Sequence, residues 1–248
     1  MSRNFDLLQR DVPGLKSPPT PPTPAPQKVS SRDRRDSRML AEDEVMKLVQ
    51  QVFILPGGTK APAAVAFCGV YSGDGCSWVC AHAAEMLADH GEGTVCLVDA
   101  NLRTPSLHEY FRFENGKGFA DGVKEEGRPM REFARRASGR HLWLITAGTV
   151  GREPNGSLNP GRLRARLAEL RQEFDHVLID TPAVHSYGDA ILLGRLADGV
   201  VLVVGSNSTR REPARVAKES FEGAKIPILG AVLNKRTFPI PEALYRKL

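Results

Sequence analysis

Aromatic residues are scarce in this chain, at 6% of its 248 residues with only two tryptophans. No apolar run comes near the 18 or more residues that a membrane-spanning helix needs. The opening stretch, MSRNFDLLQRDVPG, lacks the apolar centre of a signal peptide, so the expected location is the cytoplasm. Cysteine is sparse too. Cys68, Cys76, Cys80 and Cys96 form no C-x-x-C pair, and no histidines stand at metal spacing around them. Reduced thiols without disulfide or zinc are the expectation. Cys68 and Cys96 fall inside apolar runs, where a free cysteine behaves as a small hydrophobe. Acidic residues fall short of basic ones, leaving a net charge of +5, and Arg32, Arg34, Arg35 and Arg38 gather much of the excess. Such a run can meet nucleic acid, anionic lipid or an acidic partner. It lacks the interleaved aromatics of nucleic-acid surfaces, which favours a solvated tail and speaks against nucleic acid as a partner.

With 41% apolar and 25% charged residues, the chain is long enough for one sizeable core. Residues 1–40 stand apart: seven prolines fall between Pro13 and Pro26, followed by the basic run SSRDRRDSR. Proline removes backbone donors and favours the extended polyproline helix, so a flexible tether is expected here and a folded domain over 41–248. Order is expected to begin at AEDEVMKLVQQVFI, where Val45, Leu48, Val49 and Val52 keep helical spacing behind an acidic first turn. PGG at 56–58 breaks the chain. Beyond it, strands are expected at 63–69, 94–100, 142–146, 199–205 and 226–234, with another ending at Asp180. Helices are expected at 77–88, 161–174, 190–196 and 211–224. Strand alternating with helix predicts an α/β fold with a doubly wound, mostly parallel sheet flanked by helices.

In such sheets the site lies beyond the carboxyl ends of the strands. After the first strand comes Gly69-Val-Tyr-Ser-Gly-Asp-Gly-Cys-Ser77, leading directly into a helix. A glycine-rich turn at a helix N-terminus aims free N–H groups and the positive dipole end at one point, where a phosphate fits. Gly73 and Gly75 permit close backbone approach, and the Ser77 hydroxyl can reach a magnesium ion. Asp99 ends the second strand and Asp180 a later one. Two carboxylates on neighbouring strand ends beside such a loop can hold magnesium, although each alone reads as readily as a turn or cap residue.

VDANLRTPSLH and FDHVLIDTPAVHSYGDAILLGRLADGVVLVV, with LITAG, SLNPGRLRARLAEL, STRRE and AVLNK, resemble in combination and order the bacterial tyrosine kinases of exopolysaccharide and capsule synthesis. The resemblance spans about Glu44 to Lys235. It implies the P-loop nucleotide-binding fold, shared with partition and cell-division-site ATPases, and ATP or ADP with magnesium as the ligand. Gly69, Gly73, Gly75, Cys76 and Ser77 would line the phosphates. Asp99 would act on magnesium or as catalytic base, Asp180 would hold magnesium through water, Arg103 would sit near the phosphates, and Asn234 would face the adenine. The implied partner is a membrane polysaccharide co-polymerase or activator, with the proline-rich tail as a tether.

Four positions depart from the family's pattern. Cys76 replaces the lysine that reaches the β- and γ-phosphates. The second motif reads Asp99-Ala-Asn101 where the family shows two aspartates. Tyr245 alone stands for a tyrosine-rich C-terminal tail. Glu44-x-x-Lys47-x-x-Gln50 replaces an oligomer-forming Glu-x-x-Arg-x-x-Arg, which weakens the case for a homo-oligomer. A thiol at a helix N-terminus can titrate low, so Cys76 has a second reading as a reactive thiolate. A thiolate would repel phosphate, which favours a tolerated small residue.

The leading reading is a family member with weakened or lost phosphoryl transfer that regulates a membrane partner. The alternatives are a working kinase that draws a cation from Arg103 or Arg32–Arg38, and a partition-type ATPase.

Overall fold

The structure, a computed structural model, describes residues 42–54, 60–91, 93–125, 127–149, 159–206 and 208–235. The tail at 1–40, the break at 56–58 and Tyr245 lie outside the described residues. Helix α1 covers 42–49 and continues as a π-turn over Gln50–Ile54. There follow β1 (Ala64–Gly69), α2 (Cys76–His90), β2 (Val95–Asp99) and the short α3 (Leu107–Tyr110) and α4 (Phe119–Lys124). A 3-10 turn at Met130–Phe133 leads into β3 (Arg135–Ser138) and β4 (Leu142–Ile145). The last third holds α5 (Pro160–Glu173), β5 (His176–Asp180), α6 (Asp189–Leu196), β6 (Gly199–Gly205), α7 (Arg211–Gly223) and β7 (Ile228–Asn234).

The seven strands lie in the order β3-β4-β2-β5-β1-β6-β7. Every pairing is parallel except β3 with β4. All residues of β1 and β2 are buried, as continuous apolar strands between two helical layers require. On one face Phe119, Leu163, Leu167, Leu170, Phe221 and their neighbours pack under α4–α7. On the other, Val45, Val49, Phe67, Val79, Leu87 and Leu97 pack under α1 and α2. Small residues along α2 (Ala81, Ala83, Ala84, Ala88) are buried and let this helix lie close on the sheet. Asn159 caps α5 by accepting from Gly161 and Arg162 N–H, with Pro160 at the first helical position.

The expected doubly wound, mostly parallel α/β fold is present. β3, a four-residue antiparallel strand on the edge, has no counterpart among the expected elements. Its sequence, Arg-Arg-Ala-Ser, carries no apolar alternation, because only β4 pairs with it and its Arg136 and Ser138 are exposed.

Candidate functional site

β1 ends in the middle of the sheet between β5 and β6, and its connection to α2 is the glycine-rich turn. The turn needs left-handed backbone twice: Gly73 has φ +91° and Gly75 φ +86°. Gly75 is also where α2 starts. A Cβ there would run into the Asn234 side-chain amide, whereas a Cβ at Gly73 would meet nothing within 4 Å. The N–H groups of Gly73, Gly75, Cys76 and Ser77 have no acceptor among the described residues. Unmet donors at the head of a 15-residue helix are the arrangement that suits an anion.

A cleft of about 460 Å³ opens over this turn, and Gly73, Gly75, Cys76, Ser77, Arg103 and Tyr187 are among its walls. A hollow of about 520 Å³ lies at Ala63, Arg171 and Asp198 instead, at the amino end of β1, away from the strand ends that carry the paired carboxylates.

Asp99 and Asp180 close β2 and β5, and the two strands pair with these residues side by side. Both are fully buried. Asp99 accepts the N–H groups of Asn101 (3.2 Å), Ser106 (3.2 Å) and Leu107 (3.1 Å), so it anchors the turn that follows its strand. Asp180 is different. Neither of its carboxylate oxygens has a hydrogen-bond partner among the described residues. Burial, and then the neighbouring Asp180 charge, push Asp99 well above the usual carboxylate range. Burial raises Asp180 as well, and the Ser77 hydroxyl and Cys76 thiol, close by but outside hydrogen-bond geometry, pull the other way. A buried carboxylate without partners, next to a second one and to a serine hydroxyl, is an oxygen donor set that suits magnesium. The residues therefore fit the ion that the resemblance implies.

Cys76 opens α2 beside Asp180. The residue keeps some exposure at the cleft. Even so, burial and then the Asp180 charge push its thiol well above the ordinary value. That direction runs against a reactive thiolate. Asn101, where the family shows a second aspartate, accepts Thr104 N–H at 3.2 Å and donates to the Thr104 hydroxyl at 3.2 Å. Its side chain shapes the turn.

Arg103 reaches the cleft wall, held by Asp189 at 3.2 Å and stacked over the Tyr187 ring at 4.4 Å. Gly69 closes β1 and lines the same cleft. Asn234, expected beside the adenine, is committed to the turn: its amide donates to the Asp74 carbonyl at 2.9 Å and its oxygen accepts Lys235 N–H at 2.8 Å. Asp74 is not singled out by the sequence. It is buried, and its carboxylate accepts Tyr71 N–H and the Ser208 and Thr209 hydroxyls at 2.9 to 3.0 Å, tying the turn to the segment after β6. Its only signal is an acidic residue inside a phosphate-type loop, where repulsion calls for a second explanation. Lys235 is likewise not singled out; its ammonium rests on the Gly73 carbonyl at 2.5 Å.

No family model matches the chain. The tyrosine-protein kinase YwqD of Bacillus subtilis (strain 168) is 33% identical over 162 residues, covering 65% of this chain and 68% of that protein. The crystal structure of the chimerical protein CapA2B2 superposes with a TM-score of 0.70 at 23% identity, over 77% of this chain and 84% of the other. The septum site-determining protein MinD from Pyrococcus horikoshii, solved with Mg-ADP, gives a TM-score of 0.60 at 20% identity, over 74% of this chain and 76% of the other. Likeness at those identities speaks for the fold. The kinase relative, matched across two thirds of its own length, speaks for more, and the chain belongs to the bacterial tyrosine-protein kinase family.

Proposed function

We propose that the chain binds ADP or ATP with magnesium at the β1–α2 turn, that its phosphoryl transfer is weakened or lost, and that it regulates a membrane partner in exopolysaccharide or capsule production. One observation carries the reading. Four unmet N–H donors and the unpartnered Asp180 converge around Ser77, with a thiol where the lysine belongs. The amides of Gly73, Gly75, Cys76 and Ser77 hold the phosphate chain, with Gly69 behind them. Asp180 and the Ser77 hydroxyl hold magnesium, and Asp99 adds its charge from the adjacent strand. Magnesium, when bound, offsets the charge on the phosphate oxygens. Arg103 stands at the cleft wall for the terminal phosphate, and Asn234 supports the turn from behind, leaving one amide hydrogen for a base.

A lysine at position 76 would add a charge-assisted hydrogen bond of about 1.5–3 kcal/mol. Its absence lowers affinity by about one to two orders of magnitude, and transfer suffers more because it depends on neutralising the moving group. The partner is a membrane polysaccharide co-polymerase or activator, as the family resemblance implies. Among the described residues no helix is long and apolar enough to cross a membrane. The tail over 1–40 is the proposed tether, joined to the domain at 41–248.

One observation favours a working kinase: Arg103 already stands in the cleft. The partition-type reading has only the shared fold behind it. Phosphotyrosine and ADP production from Mg-ATP, measured for the natural protein and for Cys76→Lys, tests the proposal. Background levels in the natural protein and a rise of about tenfold or more with lysine are expected. Turnover by the natural protein at about 1 s⁻¹, in the ordinary range for enzymes, would establish the kinase instead.

A further inference from the structure

The loop that lacks its own lysine is met by another from 159 residues further along the chain. Lys235 follows directly on β7 and stands in a left-handed backbone conformation, φ +57°, that a lysine adopts only when its surroundings hold it there. The surroundings are explicit. The Asn234 side-chain oxygen accepts its N–H at 2.8 Å, and the Ser206 hydroxyl donates to its carbonyl at 2.7 Å. So held, its ammonium donates to the Gly73 carbonyl at 2.5 Å. One residue back, the Asn234 amide donates to the Asp74 carbonyl at 2.9 Å. Two consecutive loop carbonyls are thus drawn toward the end of β7.

In a trans peptide the carbonyl and the N–H point in opposite directions. Holding Gly73 and Asp74 by their oxygens turns the following N–H groups, those of Asp74 and Gly75, the other way. Asp74 N–H makes a long 3.3 Å turn bond to Tyr71, and Gly75 N–H has no acceptor among the described residues. An ammonium on the oxygen of a peptide also polarises its N–H, and here it strengthens the turn bond from Asp74 to Tyr71 that fixes the loop. Lys235 does not line the cleft, but Gly73, which it holds, does. Arg103, the other nearby cation, is engaged by Asp189 and Tyr187.

We infer that Lys235 is the positioning cation of this phosphate site, holding the Gly73 carbonyl and with it the turn of the loop, and supplying positive charge behind the amides in the absence of a loop lysine. The inference rests on the nucleotide reading above and names the residue that keeps that site usable.

Calorimetric titration of the full chain with Mg-ADP and with AMP, on the natural protein, Lys235→Met, Lys235→Arg, Cys76→Lys and the Cys76→Lys/Lys235→Met double variant, decides it. Lys235→Met should weaken Mg-ADP about tenfold and AMP much less, because the effect follows phosphate charge. Lys235→Arg should keep most of the affinity, and Cys76→Lys should restore it in the Lys235→Met background. An unchanged thermal midpoint of the ligand-free variants would separate positioning from folding. Mg-ADP binding indifferent to Lys235→Met, or lost equally for AMP, overturns the inference alone. Binding by Cys76→Lys but not by the natural protein also overturns it, since Lys235 would then not suffice. Binding by neither overturns the nucleotide reading and this inference together.

Discussion

Asp99 and Asp180 stand side by side at the ends of two adjacent parallel strands, yet only Asp99 has its oxygens met by backbone N–H groups. The asymmetry separates a turn anchor from a buried carboxylate that anchors nothing among the described residues. It also leaves two buried carboxyls competing to stay neutral, because each disfavours ionisation of the other in a medium that solvates neither charge well.

Stability should therefore fall as pH rises. Burial, and for Asp99 its neighbour's charge, raise both groups from the ordinary 3.8. Between about pH 4 and neutrality the folded protein retains protons that the unfolded chain has released, and the difference vanishes once both states are ionised. Every tenfold gain in proton affinity on folding corresponds to about 1.4 kcal/mol. Urea unfolding of the metal-free protein should show a lower midpoint at pH 8 than at pH 5.5, and Asp180→Asn should reduce that slope while leaving the part that burial of Asp99 sustains. A midpoint that climbs across this interval would refute the assignment.

Magnesium alone should stabilise the natural protein at pH 8 and do so less at pH 5.5, where protons compete for the same oxygens. The shift in melting temperature with millimolar magnesium measures this, and Asp180→Asn should abolish it. An equal shift in that variant would place the ion elsewhere.

The two loop glycines should respond differently to alanine. At Gly73 only the left-handed backbone resists, a cost of about 1–2 kcal/mol. At Gly75 the new methyl also collides with the Asn234 amide and breaks its bond to Asp74. Gly75→Ala should abolish Mg-ADP binding, while Gly73→Ala weakens it. The two variants behaving alike in a titration would contradict the clamp.

The order and kind of the long elements were legible because β1, β5 and β6 are buried on both faces and α5 and α7 have amphipathic spacing. β3 and the short helices α3 and α4 were not. Four to six residues span fewer than two helical turns or only two or three strand repeats, too few to show a pattern, and these segments are fixed by tertiary bonds such as Phe119 N–H to the Thr146 carbonyl at 2.8 Å. At the site, strand-end position singled out Asp99 and Asp180, but nothing in the sequence could tell that one was anchored and the other unpartnered. That depends on whether the following turn folds back over the carboxylate, as 100–107 does over Asp99. The roles of Asp74 and Lys235 are not legible in the sequence for a related reason: their partners lie 134 and 162 residues away.

Asp74 should prove to be structural. Asp74→Ala leaves Tyr71 N–H and two hydroxyls without their acceptor, which costs about 1–3 kcal/mol in urea unfolding. Asp74→Asn, able to accept at one oxygen, should recover part of it. A loss of nucleotide affinity at unchanged stability would instead make Asp74 part of the binding surface.

The most direct measurement is a calorimetric titration of the natural protein and of Cys76→Lys with Mg-ADP. Micromolar binding by the natural protein, tightened about 10- to 100-fold by lysine, is the predicted result. No binding by either form would contradict the account, because the four free amides and Asp180 would then serve something other than a nucleotide.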